Sequence, residues 1–258
     1  METDHGRHSK FLVMFYELLG TCLFVYGIIM TNMWQSIPFS LFASVLIFGG
    51  VTGGHFNPAV SIGVFLSLGD YAENFLFLIM IIFGQVLGGL LAIPLAYGGV
   101  MTKDQSIKDS TLCPYNVTED SCDNKAGNLN FNMDMQVVTN EVICTFIFVS
   151  VILMVKGKHT AGVSDGMSGP IAVVLTLLGM IAVGNKFGAA YNPAVGIALI
   201  ANQVIMQGKL LYLYHYLYAY TLGPALGGTV AGFFHLIHKQ LHEPEHHHPD
   251  EKQEQLLN

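Results

Sequence analysis

Two stretches decide the reading: Gly53-Gly54-His55-Phe56-Asn57-Pro58-Ala59-Val60 and Gly188-Ala189-Ala190-Tyr191-Asn192-Pro193-Ala194-Val195. Each sets Asn-Pro-Ala at the head of an apolar run. Asn is a strong helix N-cap and Pro is favoured at the first helical position, so each tripeptide starts a helix. The runs that follow, about 57 to 67 and 192 to 202, are shorter than the roughly 20 apolar residues that a bilayer crossing takes, and read as re-entrant half-helices. A single Asn-Pro-Ala would be an ordinary helix start. Here it recurs in a fixed setting. Glu17-Leu18-Leu19-Gly20-Thr21 precedes the first copy and Gly84-Gln85-Val86-Leu87-Gly88-Gly89 follows it. Glu141-Val142-Ile143-Cys144-Thr145 and Gly223-Pro224-Ala225-Leu226-Gly227-Gly228 flank the second in the same order. The chain is a tandem duplication.

The surroundings of these elements are apolar. Of 258 residues, 52% are hydrophobic and 11% charged, where a soluble domain carries about 25% charge. Residues 18–69, 74–102, 166–185, 187–208 and 210–238 contain no Asp, Glu, Lys or Arg. This excludes a water-soluble enzyme and predicts an all-α membrane protein, with six spans at about 11–32, 37–54, 75–98, 135–155, 168–185 and 211–236. The first begins after a polar head and lacks a small-residue cleavage site, so it reads as a retained span rather than a signal peptide. The net charge of −7 comes largely from the tails and one loop. No basic face exists for nucleic acid.

Three spans per repeat is an odd number, so the second copy lies upside down relative to the first, about a pseudo-two-fold axis in the membrane plane. The expected organisation is a tail at 1–10, a first repeat at 11–98, an extracytoplasmic loop at 99–134, a second repeat at 135–236 and a polar tail at 237–258. Both termini fall on one side. Arg7, Lys10, Lys156, Lys158, Lys239 and Lys252 against Lys103, Lys108, Lys125, Lys186 and Lys209 place that side in the cytoplasm, since long loops count for less. Inversion brings the two half-helix N-termini together with their positive dipole ends opposed, which repels cations and protons. The Asn57 and Asn192 amides can each aim an N–H at a passing oxygen. An oxygen held by two donors cannot easily accept a third hydrogen bond, so a proton wire is interrupted while neutral solutes pass.

With both Asn-Pro-Ala elements, both Glu-x-x-x-Thr elements and Gln85, residues 11–236 resemble the aquaporin (major intrinsic protein) family. The resemblance implies six tilted helices and two half-helices around one pore, a homotetramer in the lipid bilayer, and passive flow without a cofactor. It implies that Glu17 and Glu141, ionisable groups at membrane depth that could suggest a proton relay, instead accept hydrogen bonds from the backbone leading into each half-helix, with His55 and Gln85 as further supports. His55 has no second ligand nearby and does not read as a metal site. His215, His235 and His238 read as interfacial, and His246-His247-His248 as a solvated tail.

Selectivity in the resembled family comes from an outer constriction. Counted without gaps from the two Asn residues, its positions fall on Ile37, Met180, Ala189 and Val195. The family's usual Arg is Val195 here, and the His typical of strict water channels is Met180. An apolar lining without a fixed cation suits solutes with a carbon face such as glycerol or urea, or uncharged ammonia or hydrogen peroxide. Glycerol facilitators carry Arg-Asp where this chain has Val195-Gly196, and Val at that position is similar to some plant vacuolar aquaporins. The expected location is therefore the plasma membrane or an internal vacuolar-type membrane.

Cys22 and Cys144 read as small buried hydrophobes. Cys113 and Cys122 share a polar loop with Asn116-Val117-Thr118, a glycosylation acceptor sequence, which makes an exported loop with a candidate disulfide. Three other readings stay open: a strict water channel, a secondary transporter, which can share inverted repeats, and a membrane-junction protein with a silent pore.

Overall fold

The computed structural model describes residues 9–31, 33–99, 112, 115–116, 121–122, 131–157, 166–207 and 216–242. Helix α1 (Lys10–Met30) is capped by Ser9, whose hydroxyl accepts the Leu12 N–H at 3.2 Å. A 3-10 turn (Trp34–Ser36) leads into α2 (Ile37–Thr52), which stops at Gly53 with φ 84°. The short α3 (Pro58–Leu68) follows, and then α4 (Tyr71–Gly99). The second half repeats the order with α5 (Phe131–Lys156), α6 (Ser168–Gly184), a 3-10 turn (Asn185–Phe187), the short α7 (Pro193–Gln207) and α8 (Leu217–His242). Between the halves, β1 (Tyr115–Asn116) pairs antiparallel with β2 (Ser121–Cys122), a two-residue ladder that the sequence reading did not anticipate.

Boundaries shift from expectation at several ends. Helix α4 begins at Tyr71 rather than 75 and α5 at Phe131 rather than 135, because polar residues extend each helix beyond its apolar stretch. Helix α8 runs through His242, into the stretch expected to be tail. Half-helix α7 continues to Gln207 rather than stopping at 202. Among the described residues, five helices are long and apolar enough to cross a membrane: Lys10–Met30, Trp34–Thr52, Tyr71–Gly98, Met133–Lys156 and Ser168–Phe187. The sixth, α8, has the length but is diluted by Gly, Tyr and Thr.

The packing mirrors the duplication. Helix α1 lies on α4 and α2, and α5 lies on α8 and α6. Each half-helix is then shared between repeats: α3 packs on α8 as well as α4, and α7 on α4 as well as α8. The two Gly-Gly pairs explain why these approaches are possible. A Cβ at Gly88 would strike the Leu18 carbonyl and one at Gly227 the Val142 carbonyl, the residues just after Glu17 and Glu141. A Cβ at Gly89 would crowd the Ala194 carbonyl and one at Gly228 the Ala59 carbonyl, so each pair seats the Asn-Pro-Ala of the other repeat. Small residues permit such backbone contact between helices in lipid, where burial of apolar surface supplies no drive.

Polarity is arranged inside out. Phe39, Leu76, Phe83, Leu175, Val183 and Leu222 lie exposed on the outer faces, while Glu17, Gln85, Glu141, Asn57 and Asn192 are buried. Such an arrangement suits a protein solvated by lipid, which needs its polar groups paired internally.

Candidate pore and its polar supports

Both half-helices begin as the sequence dictates. The Asn57 side-chain oxygen accepts the Ala59 N–H at 2.8 Å, and the Asn192 oxygen accepts the Ala194 N–H at 2.9 Å and the Val195 N–H at 3.4 Å. The amide nitrogens reach across. Asn57 Nδ2 donates to the Tyr191 carbonyl at 2.9 Å, and Asn192 Nδ2 donates to the Phe56 carbonyl at 2.9 Å. The two N-termini therefore meet head to head. An amide nitrogen carries two hydrogens, so each Asn keeps one more donor after its cross-bond.

The cost of this arrangement is local backbone strain. Phe56 has φ 47°, Ala189 φ 53° and Tyr191 φ 50°, a left-handed conformation that bulky residues rarely adopt. Buried carboxylates hold it. Glu17 accepts the His55 and Phe56 N–H groups at 3.0 and 2.7 Å, and Glu141 accepts the Ala190 and Tyr191 N–H groups at 2.8 Å each. Gln85 Nε2 donates to Glu17 at 2.7 Å and to Ser61 Oγ at 2.9 Å, and Ser61 Oγ lies 3.1 Å from His55 Nδ1. Of the four expected supports, Glu17, His55 and Gln85 thus form one cluster with Ser61 behind the first half-helix, and Glu141 stands behind the second with backbone partners.

Two cavities lie along one path. The smaller, about 20 Å³, is lined by Asn57, Asn192, His55, Phe56, Ala190 and Tyr191 together with Phe24, Leu41, Phe148 and Leu177. Space of this size has room for a water molecule. The larger, about 150 Å³, is bounded by Val155, Lys156, Gly169, Pro170 and Val174. Val45, Gly54, Ile152 and Val173 line both, so the two are neighbours.

The expected filter residues are less sharply grouped. Ile37 opens α2 and is half-buried, as are Met180 and Ala189, and all three pack against the core that contains Val195. The Tyr191 hydroxyl donates to the Met180 carbonyl at 2.9 Å, tying α6 to the second turn. His235, expected to be interfacial, is instead buried, with neither ring nitrogen hydrogen-bonded among the described residues. Cys22 is half-buried and Cys144 buried, both free thiols. Asn116 and Cys122 lie on the short strands, whose side chains are not described. Cys113, His215 and His246 to His248 lie outside the described residues.

Sequence reasoning missed the pore wall and Lys156. Phe24 and Phe148 stand seven positions after Glu17 and Glu141, so the internal repeat alone could have paired them. Lys156 was legible only as a charge at a helix end.

Head-to-head half-helices, shared between inverted repeats and bordering a narrow path, define a helical membrane channel. The chain belongs to the major intrinsic protein family, whose model matches residues 8–235, and whose members are channels rather than enzymes. It is similar to "Aquaporin Z" of Photorhabdus laumondii subsp. laumondii, 27% identical over 231 residues, with 84% of this chain and 92% of the relative covered. It is also similar to "Glycerol uptake facilitator protein-like 6" of Lactiplantibacillus plantarum, 28% identical, with 74% and 76% covered. The X-ray structure of the aquaglyceroporin from Plasmodium falciparum shares the fold, with a TM-score of 0.64, 22% identity and coverage of 90% of this chain and 98% of that one.

Proposed function

We propose that the protein is a passive channel for water and for small uncharged solutes such as glycerol, urea, ammonia or hydrogen peroxide. Its central passage runs between Asn57 and Asn192, and its outer constriction is made by Ile37, Met180, Ala189 and Val195. The observation that carries the reading is the reciprocal exchange in which each Asn caps its own half-helix and bonds the backbone of the other at a water-sized cavity. Two fixed donors and apolar lining residues orient a solute oxygen and break a hydrogen-bonded chain of water, so protons and ions are excluded. The protein works as a homotetramer in the plasma membrane or a vacuolar-type membrane, with both termini cytoplasmic.

Stopped-flow light scattering on proteoliposomes tests this. A non-permeant osmolyte should give fast shrinkage, and glycerol or urea gradients should give fast refilling. Val195→Arg should suppress refilling while sparing water. Unchanged glycerol and urea flux in that variant would refute the filter assignment. The small size of the central cavity favours a second reading, a strict water channel, for which native vesicles would shrink fast and refill no faster than empty ones. Absence of any acceleration would mean a silent pore.

A further inference from the structure

We propose that Lys156 is the fixed cation of this pore, placed at its inner mouth, where it excludes cations. The inference rests on the channel reading above. Val195 stands in the first turn of α7, at the filter position where the resemblance leads one to expect Arg, and it is buried among apolar neighbours. The outer constriction therefore supplies no side-chain charge. At the other end of the path, the cavity of about 150 Å³ is walled by Val45, Ile152, Val155, Pro170, Val173 and Val174, and the charged member of its lining is Lys156. No carboxylate lines this cavity among the described residues.

The ammonium is not loose. Lys156 Nζ donates to the Gly53 carbonyl, bridging the end of α5 to the turn between α2 and α3. That turn is where a cation would be drawn in. Backbone carbonyls that line a pore act as cation ligands, replacing hydration water. Gly54, His55 and Phe56 line the narrow cavity just beyond Gly53. The turn's last carbonyl, on Phe56, is already taken by the Asn192 amide. Its first is taken by Lys156. A lysine there occupies the outermost carbonyl and sets a unit positive charge in a vestibule whose other lining side chains are apolar, where its field on a passing cation is only partly screened. A neutral solute meets no such barrier.

The test compares native protein, Lys156→Met and Lys156→Arg in proteoliposomes. Water flux is read by osmotic shrinkage, potassium leak by a voltage-sensitive dye under a potassium gradient, and proton leak by entrapped pyranine. Native protein and Lys156→Arg should be tight to both ions. Lys156→Met should keep water flux within about twofold and raise cation leak at least roughly tenfold, the scale of removing a nearby unit charge in a partly screened site. If Lys156→Met does not fold, Lys156→Gln carries the test, since its carboxamide is also neutral and can still donate to a carbonyl. A neutral variant that conducts water yet stays as tight as native protein would overturn the proposal and leave the lysine a strap. Equal leak in Lys156→Arg would overturn it too, by showing that shape rather than charge matters. Native protein without water flux would sink the channel reading instead, so the two failures are distinguishable.

Discussion

In the first repeat, Glu17 receives two backbone N–H groups and the Gln85 amide, and Gln85 and His55 both reach Ser61 on the half-helix. In the second repeat, Glu141 receives the same two backbone donors, but Pro224 stands at the position of Gln85 and brings no donor. The neighbouring threonines differ in the same sense. Thr21 donates to the Glu17 carbonyl one turn back at 2.7 Å, whereas the hydroxyl of Thr145 is buried without a partner among the described residues. What the duplication has kept is the minimum that the turn needs: a carboxylate for two N–H groups, an Asn for cap and cross-bond, and a Gly-Gly seat for the opposite Asn-Pro-Ala. Beyond that minimum the two sides differ: the first repeat ties its carboxylate to Gln85, Ser61 and His55, whereas in the second the Tyr191 hydroxyl accepts from Asn140 Nδ2 at 3.3 Å and donates to the Met180 carbonyl at 2.9 Å.

The largest test of this comparison removes the shared element. Glu141→Ala strands two buried N–H groups, each costing roughly 1–3 kcal/mol, so a loss of about 4 kcal/mol is expected. Glu17→Ala should cost at least as much, because it also deprives the Gln85 amide of its 2.7 Å partner. Thermal aggregation of detergent-solubilised protein, followed by size-exclusion chromatography, would rank them. If Glu141→Ala stayed near native stability, the carboxylate would not be what holds the left-handed turn at Tyr191.

The Gly-Gly seats come next. A Cβ at Gly228 would overlap the Ala59 carbonyl, while one at Gly89 would stand 3.1 Å from the Ala194 carbonyl and 3.3 Å from the Ala198 Cβ. Gly228→Ala should therefore cost about 2–3 kcal/mol and Gly89→Ala about 1 kcal/mol, within the range for overpacking. The same chromatographic assay, with water flux as a second readout, checks the order. Equal costs would mean that the two half-helices are seated alike and that the closer approach of α3 to α8 has no energetic weight.

Much of this was legible in the sequence because it is local or duplicated. Asn57 and Asn192 announce helix starts by capping chemistry, and the Glu and Gly-Gly elements announce themselves by recurring in order. The six long helices follow from apolar length, although α8 shows that Gly, Tyr and Thr blur the signal. What local chemistry could not supply was reach. The bond from Asn57 to the Tyr191 carbonyl joins residues 134 apart, and that from Lys156 to Gly53 joins residues 103 apart. Each exists only once the helices are placed. His235 was misjudged for the same reason: the sequence shows a histidine near a helix end, and only packing decides whether that end is covered.

The smallest effect is the most discriminating. Thr and Val are nearly the same shape, so Thr→Val removes a hydroxyl with little change in packing. At Thr21 the hydroxyl is bonded, and its loss should cost about 1 kcal/mol, the usual net worth of one hydrogen bond. At Thr145 the hydroxyl is buried and unpaired among the described residues, and its removal relieves a desolvation penalty, so Thr145→Val should be neutral or stabilise by up to about 1 kcal/mol. Opposite signs at equivalent positions, read as opposite shifts of the aggregation midpoint, are what an unequal network requires. Equal losses would mean that the Thr145 hydroxyl finds a partner in the membrane, such as a bound water, and is worth as much as that of Thr21.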